Sequence, residues 1–249
     1  MANQHKNSFL LSFSLLVAIA LVLPFISSCG KNSNANPAGL NTQLQIINLS
    51  PDAQPFNLYQ RTIKQSTTTY TYPNNSDYFF LGTLDPPLQL RTATTAPVVL
   101  PFQIDTALKA NSKYTLFVTG YRADSSIKNS MLSLDTATLP SIGNAKIRFA
   151  HTSPSSPTLN LRMNDTLSKV FENRPFNTIS KYVTIPAGSY NLTIATYKTP
   201  TKIEYTIPNV TIQDGHAYTV YTIGIVGRTD SVAFGAAVLN NNLLIKTTQ

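Results

Sequence analysis

The sequence has very little of the side-chain chemistry that metal sites and disulfide scaffolds use. Its 249 residues include one cysteine, three histidines, no tryptophan and only 12% charged residues. A single cysteine cannot form an intramolecular disulfide, so the stability of the folded chain must come from apolar cores. Zinc sites need three or four cysteine, histidine or carboxylate ligands. We therefore predict no metal site, and we interpret His151 and His216 as structural residues.

Motifs for nucleophilic catalysis and phosphate binding are also absent. The chain contains no Gly-x-Ser-x-Gly elbow and no glycine-rich phosphate loop. Its acidic residues are few and stand mostly beside turns. For Asp52, which follows Ser50-Pro51, capping of the turn is a better explanation than calcium binding. The sequence thus predicts a protein with no catalytic residue and no cofactor.

Positive charge is present but scattered. The formal net charge is +8, yet residues 30–143 hold eight Lys/Arg against six acids and residues 144–249 hold ten against five. Nucleic-acid binding needs a clustered basic patch. We therefore predict no nucleic-acid partner.

The N-terminus carries the most informative signal in the chain. Lys6 lies in a short polar head, residues 9–26 form a nearly unbroken apolar run, and small residues precede Cys29. This is the order of a secretory signal, and a cysteine directly after the cut resembles the bacterial lipoprotein signal, or lipobox. The resemblance implies acylation of Cys29 and a membrane anchor. Ile26 and Ser28 give a relaxed form of the motif that is familiar in Bacteroidota.

Two other interpretations of this segment, a transmembrane helix and an ordinary secretory signal, are less favoured. A transmembrane helix is disfavoured by Pro24 near the end of the run, and an ordinary secreted protein would need its one cysteine to fall at the cleavage site by chance. We predict a lipoprotein signal peptide over residues 1–28 and a flexible tether over residues 29–43, because the segment after Cys29 is small and polar. We expect a location in the cell envelope, anchored at the outer membrane, with its periplasmic or surface orientation left open.

Two copies of one pattern follow, about 104 residues apart. Ser50-Pro51 recurs as Ser153-Pro154, and residues 114–117 recur as residues 218–221. A period of this length indicates duplicated domains, since the repeats of solenoids are shorter. The junction near residues 139–144 is short, which predicts that the two domains pack end to end.

Within each copy, polar and apolar residues alternate with a period of two. Residues 146–150 and 190–195 show this alternation, which is typical of strands with one buried face. Turn residues such as Asn164-Asp165 separate the strands. The pattern predicts an all-β fold: two tandem antiparallel β-sandwich domains, immunoglobulin-like or transthyretin-like, over residues 44–140 and 144–249.

The second copy resembles a known family. Residues 145–154, 182–190 and 215–220 resemble the opening, the middle hairpin and a late strand of the domain-of-unknown-function family 4397. The resemblance implies β-sandwiches on secreted or envelope-anchored bacterial proteins, often in tandem, and it supplies no activity. The first copy keeps the Ser-Pro turn, but Ile47 and Leu49 are taken to replace the arginine and histidine that precede this turn in the second copy.

Four short segments share the order Asp, then Ser or Thr, then an aliphatic residue. This order resembles the O-glycosylation acceptor of Bacteroidota envelope proteins, and the alternative is that Asp-Thr pairs simply favour turns. The candidate acceptors are Thr106, Thr136, Thr166 and Ser231.

These observations predict a non-enzymatic envelope protein that binds the membrane through Cys29 and presents a binding or adhesive surface to a glycan or an envelope protein. One alternative is an accessory glycan-binding subunit of polysaccharide capture at the outer membrane, which predicts an exposed aromatic platform on one sandwich edge. A second alternative is an enzyme with a site between the domains. We expect most tyrosines to pack within the sheets.

Overall fold

The computed structural model describes residues 41–82, 86–135 and 137–241. Within these ranges the chain is built from β-strands, with two short 3₁₀ helices at Ser126–Asn129 and Lys169–Phe171. The predicted signal peptide, Cys29 and most of the tether lie outside the described residues, as does Thr136. No helix in the part of the chain that the structure describes is long and apolar enough to span a membrane.

The first repeat folds into two sheets of four strands each. One sheet has the order β4-β1-β7-β8 and the other the order β3-β2-β5-β6. The strands are β1 (Asn41–Asn48), β2 (Phe56–Gln60), β3 (Ile63–Lys64), β4 (Phe79–Gly82), β5 (Leu88–Thr92), β6 (Val99–Ile104), β7 (Lys113–Val118) and β8 (Met131–Leu134).

The second repeat has the same plan. One sheet has the order β12-β9-β16-β17, with β13 also pairing with β9, and the other has the order β11-β10-β14-β15. The strands are β9 (Asn144–His151), β10 (Leu159–Met163), β11 (Thr166–Leu167), β12 (Thr178–Ile179), β13 (Val183–Pro186), β14 (Gly188–Thr196), β15 (Ile203–Ile212), β16 (Ala217–Ile223) and β17 (Gly235–Asn240).

The prediction of an all-β, sandwich-type fold is confirmed, with one addition. Most strand pairs are antiparallel, but β1 pairs with β7 and β9 pairs with β16 in parallel. Between the members of each parallel pair, the chain passes through the opposite sheet and returns in its original direction, so a parallel pair at this place is part of the repeated topology.

Strand register aligns the two repeats residue by residue. Gln45 of β1 pairs with Thr115 of β7, and Arg148 of β9 pairs with Thr219 of β16. Thr115 and Thr219 are 104 residues apart, as the sequence repeat requires. Gln45 of the first repeat therefore holds the position that Arg148 holds in the second.

This alignment corrects one prediction. Ile47 and Leu49 do not stand in place of the arginine and histidine of the second repeat. Gln45 has the place of the arginine, and Asn48, which ends β1 as His151 ends β9, has the place of the histidine. The repeated Ser-Pro turn, at an offset of 103 residues, gives the same alignment, so the prediction placed the two equivalent residues two positions and one position too far along the chain.

Each repeat has its own apolar core, formed by alternate residues of its two sheets. In the first repeat the core is centred on buried residues such as Leu44, Phe56 and Leu90, and in the second on residues such as Phe149 and Leu192. Each of these side chains is fully excluded from solvent. Burial of a large apolar side chain contributes about 1.5–3 kcal/mol, so these two clusters are the main source of stability.

A third apolar cluster joins the repeats, and it shows that the prediction of end-to-end packing is wrong. The β4-β1-β7-β8 and β12-β9-β16-β17 sheets contact each other through the faces that point away from the two cores. Those faces carry apolar residues that need cover, which is why the repeats pack side by side. The buried members of this cluster are Ile47, Leu49, Phe117, Ala150, Tyr221 and Leu239.

Candidate functional site

The densest group of polar side chains in the described residues lies beside this third cluster and is centred on Asp135. Asp135 follows β8 and is 1% exposed. Its Oδ2 atom accepts hydrogen bonds from Thr115 Oγ1 at 2.6 Å and from the Tyr78 hydroxyl at 2.8 Å. Its Oδ1 atom forms an ion pair with Arg148 of the second repeat. The carboxylate therefore has partners from both repeats.

Arg148 is 4% exposed, and each of its three guanidinium nitrogens donates at least one hydrogen bond. Its Nε atom donates to Thr219 Oγ1 at 2.8 Å, and its Nη1 atom donates to Ser133 Oγ at 2.7 Å and to the Leu134 carbonyl at 3.1 Å. The guanidinium also lies 4.5 Å from the centre of the Tyr182 ring. Buried ions are tolerated when paired and hydrogen-bonded in this way.

Burial controls the protonation of the phenols around this pair. It raises the pKa of Tyr182 to about 12 and also raises the pKa of Tyr78, to which the nearby Asp135 carboxylate adds in the same direction. Burial also raises the pKa of Asp135, while the Arg148 guanidinium acts in the opposite direction. Both phenols therefore remain neutral donors at physiological pH.

We call Asp135, Arg148 and the side chains that bond to them the clamp, because this group joins the two repeats. Both ions are buried and their partners come from the protein itself, so the group positions one sandwich on the other. This role was not predicted from the sequence, in which Asp135 stands in a candidate glycosylation segment and Arg148 in a stretch that resembles the family. A charged residue at the centre of an alternating apolar strand was the available signal for Arg148.

The candidate contact surface lies on the opposite side of the first repeat. We call it the first-repeat face: the half-buried side chains Tyr59, Gln89 and Arg91 and the exposed side chain Gln103, on the β3-β2-β5-β6 sheet. The Arg91 guanidinium stacks 4.7 Å from the centre of the Tyr59 ring. Its Nη2 atom donates to Gln89 Oε1 and to the Arg61 carbonyl, each at 2.8 Å.

A second hydrogen bond extends this surface across the sheet. Gln89 Nε2 donates to Gln103 Oε1 at 2.6 Å, and these two residues are direct cross-strand partners. The first-repeat face is therefore a row of amide, guanidinium and aromatic groups held in fixed positions on rigid strands. Such a surface can bind a polar partner without first paying the entropy of ordering its side chains.

Most aromatic side chains are packed, as predicted. Of the twelve tyrosines, only Tyr197 and Tyr205 are exposed, at 37% and 39%. Both belong to the segment formed by β14 and β15, where Ile203 is also 58% exposed. This segment, which we call the β14–β15 patch, is the part of the structure that best matches the aromatic platform expected for glycan capture.

His151 is a structural residue. It is fully buried, its Nε2 atom lies 2.9 Å from the Pro157 carbonyl, and its ring meets the edge of Phe176 at 6.0 Å between centres. Burial lowers the pKa of His151 to about 4. The imidazole is therefore neutral at physiological pH, and its Nε2–H donates to Pro157.

Capping of its own turn was predicted for Asp52, but the loop that it caps is distant in sequence. Its carboxylate accepts from the backbone N–H groups of Arg122 and Ala123 at 2.7 and 2.9 Å and from Ser50 Oγ at 3.2 Å. The second repeat uses Ser156, whose hydroxyl accepts from the Val226 N–H at 3.1 Å. Among the described residues, no group of three or more His, Cys, Asp or Glu side chains is placed to hold a metal ion.

The candidate glycosylation acceptors fall into two groups. Thr106, Thr166 and Ser231 are exposed. Thr136 lies outside the described residues, and the Asp135 that precedes it is buried in the clamp. The shared three-residue order therefore covers an aspartate with a structural role as well as aspartates at the surface.

Comparison with known proteins places both repeats in one family. The model of the family described as "Domain of unknown function (DUF4397)" matches residues 42–162 and 145–244. A solved structure described as a "putative cell adhesion protein" from Bacteroides eggerthii is 10% identical, with 86% of this chain and 98% of that chain covered and a TM-score of 0.22. At this TM-score the two structures do not share a recognisable overall superposition. Comparison with the curated proteins gives no match.

Proposed function

Since the chain belongs to the DUF4397 family, whose description assigns no activity, we propose that it is a lipid-anchored, non-enzymatic protein of the cell envelope that works by contact. The anchor is Cys29, and the location is the outer membrane. The contact is made by the first-repeat face, with an envelope protein or a glycan as the partner. No catalytic residue, metal or cofactor takes part.

The observation that supports this proposal most directly is the order within the first-repeat face. Arg91 is held by the Tyr59 ring, by Gln89 and by the Arg61 carbonyl, although none of these contacts lies in a core. Side chains fixed in this way on strands are what a preorganised binding surface needs. The clamp adds to this, because it keeps the second repeat packed against the opposite sheet and leaves the first-repeat face accessible.

A binding experiment tests the surface. The mature lipoprotein, purified from host membranes in detergent, is titrated with outer-membrane fragments from cells that lack it. We expect the double variant Tyr59→Ala/Arg91→Ala to bind at least tenfold more weakly. Thr184→Ala, which changes an exposed residue of β13 in the second repeat outside both candidate surfaces, is the matched control and should bind as the parent does. Equal binding by all three proteins would refute the assignment of the surface.

The anchor is tested separately. Cells grown with a palmitate analogue should label the parent protein, and Cys29→Ser should abolish both the label and the recovery of the protein in membranes. Unchanged labelling of the variant would mean that the anchor is wrong, whatever the first-repeat face does.

A second candidate function, accessory glycan binding during polysaccharide capture, is favoured by the β14–β15 patch. Exposed tyrosines can stack on sugar rings and give contact area at low entropic cost. A glycan array probed with the parent protein and with Tyr197→Ala/Tyr205→Ala tests it. Binding that is lost in the double variant supports glycan capture, and binding that is kept, or is absent from the parent, counts against it.

The third hypothesis, an enzyme with a site between the domains, has less support. The contact region between the repeats is filled by the apolar cluster around Phe117 and Tyr221 and by the clamp. No convergent set of reactive groups opening to solvent was identified there among the described residues.

A further inference from the structure

The two sheet faces that meet between the repeats are equivalent faces of the two copies. Phe117 of β7 and Tyr221 of β16 hold the same position in their repeats, and their rings contact each other with centres 6.0 Å apart. Contact of a residue with its own counterpart is what an isologous, two-fold interface produces at its axis. The repeats are therefore related like the subunits of a symmetric dimer.

The polar groups of the clamp repeat with the same symmetry. In the first repeat Asp135 accepts from Thr115 at 2.6 Å and from Tyr78 at 2.8 Å. In the second, Asn241 accepts from Thr219 at 2.7 Å and from Tyr182 at 3.4 Å. The backbone bonds are equivalent as well. The Asp135 N–H donates to the Lys113 carbonyl, and the Asn241 N–H donates to the Ala217 carbonyl, both at 2.8 Å.

The two copies depart from symmetry where charge is concerned. The first repeat has Asp135 where the second has Asn241, and the second has Arg148 where the first has Gln45. These two departures meet each other: Asp135 and Arg148 form the ion pair across the interface. The ion pair across the interface is thus made from one anionic and one cationic departure. A second cation, Lys113, stands where the second repeat has Ala217; it is buried, interacts electrostatically with Asp135, and its Nζ atom donates to the Asn241 carbonyl at 3.4 Å.

We propose that this face is a self-pairing surface, and that the Asp135–Arg148 pair selects its partner, so that a first repeat pairs with a second repeat and not with another first repeat. The same symmetry shows which side chains would be buried if two first repeats or two second repeats paired. Two first repeats would set Asp135 against Gln45, and two second repeats would set Arg148 against Asn241. The second of these would leave the buried Arg148 without a counter-charge. The first would replace the Arg148 ion pair of Asp135 by a neutral amide, with Lys113 as the cation that remains nearby. Loss of the ion-pair partner of a buried charge is strongly unfavourable.

The same surface can also pair with a second copy of this chain. The nine residues 135–143 that join β8 to β9 can span about 30 Å when extended. A first repeat can therefore pair with the second repeat of another chain once its own second repeat no longer fits. The selecting pair ordinarily keeps the pairing within one chain.

Two single variants test this selection, each built with the residue found at the equivalent position. Asp135→Asn leaves Arg148 without its counter-charge, and Arg148→Gln removes the ion-pair partner of Asp135 and leaves Lys113 as the nearby cation. In a mixture of the two proteins, the first repeat of the Arg148→Gln chain and the second repeat of the Asp135→Asn chain restore the native ion pair. The reciprocal interface becomes the neutral Asn–Gln combination.

The measurement is native mass spectrometry of the full lipoprotein released from detergent, with one variant labelled with 15N. After the two variants are refolded together, we expect a mixed species of twice the single-chain mass, absent from either variant alone. The double variant Asp135→Asn/Arg148→Gln, neutral within one chain, should stay monomeric. A mixture that remains monomeric, or a dimer that each variant forms equally well alone, overturns the proposal.

Failure of a single variant to fold does not remove the test. In that case the folded near-ultraviolet circular dichroism signal should return only when the two variants are refolded together. The charge-reversed pair, Asp135→Arg with Arg148→Asp, gives a stronger version, with the double reversal in one chain as the folding control. If the controls fold and the mixtures do not recover, the proposal is wrong.

Discussion

The two repeats share one sheet plan, but they solve the same structural problems with different side chains and partly different turns. Where β1 ends on Asn48, β9 ends on the buried His151, and where Asp52 caps one loop, Ser156 caps the other. The comparison teaches that a duplicated sandwich tolerates exchange of its polar groups as long as each backbone N–H and each buried charge keeps a partner. The repeats differ most where they touch each other.

The largest effect should come from breaking the clamp. Arg148→Gln installs the residue of the first repeat and removes the ion-pair partner of the buried Asp135, with Lys113 left as the nearby cation. Removal of one member of a buried pair costs about 3–5 kcal/mol, and urea unfolding of the variant should show this loss. Adding Asp135→Asn should recover most of it, because both positions then carry the neutral residue types found at the equivalent positions, Asn241 and Gln45. A small loss in the single variant would show that the pair is solvated.

Equivalent glycines should respond unequally. Gly224 has φ +69°, and an added Cβ would lie 2.1 Å from the Ala233 carbonyl oxygen. At Gly120, with φ +88°, the nearest atom would be the Ser126 carbonyl carbon at 2.8 Å. A left-handed residue with a side chain costs about 1–2 kcal/mol, and overpacking adds about 1–3 kcal/mol.

We therefore expect Gly224→Ala to lower the free energy of unfolding by about 3 kcal/mol and Gly120→Ala to lower it by less. Thermal unfolding of the two variants side by side checks the order. The reverse order would mean that the loop around residue 233 moves more easily than the loop around residue 126.

Acid should destabilise the second repeat through His151. Burial lowers its pKa from 6.5 to about 4, so between those values the unfolded chain binds a proton that the folded chain does not. Stability is complete above pH 6.5, falls as the pH drops towards 4, and then no longer changes on account of this group. The total loss is about 3 kcal/mol. His151→Gln should remove this part of the pH dependence when unfolding is followed by urea titration at several pH values. A parent protein whose stability is constant over this window would contradict the prediction.

The smallest effect concerns the surface. Asp52→Ala removes a carboxylate that caps two backbone N–H groups in the first repeat, and loss of such a cap costs about 1 kcal/mol. Ser156→Ala removes the single acceptor in the second repeat and should cost less. Chemical unfolding of both variants measures the difference. Equal losses would mean that water replaces the second bond to Asp52.

Predicted O-glycosylation should distinguish the exposed acceptors from Thr136, which follows the buried Asp135. Intact-mass analysis of the protein from its native host should show added hexose that is lost in Thr106→Ala, Thr166→Ala or Ser231→Ala. Thr136→Ala should leave the mass of the glycan unchanged, because the preceding Asp135 is committed to the clamp. A parent protein with no added mass would remove the hypothesis.

Much of the fold could be predicted from local patterns. Alternation over residues 146–150 reports a strand with one buried face, and β9 spans Asn144–His151. The structural role of His151 could also be predicted, because missing ligand partners are a compositional property. The loop that Asp52 caps could not, since Arg122 and Ala123 are 70 and 71 residues away along the chain, and the clamp could not, since Asp135 and Arg148 meet only after two sheets have packed. The correct equivalents of Arg148 and His151 could be found from the 103-residue offset of the Ser-Pro turn alone.

The sequence by itself determined that this protein is a pair of duplicated, strand-built modules, because hydrophobic period and repeat spacing are written along the chain. Only the tertiary structure decided which faces of those strands meet, which charges become buried together and which row of side chains remains open to a partner. The physical reason is that a strand has two faces, and its own pattern cannot say which of them another sheet will cover.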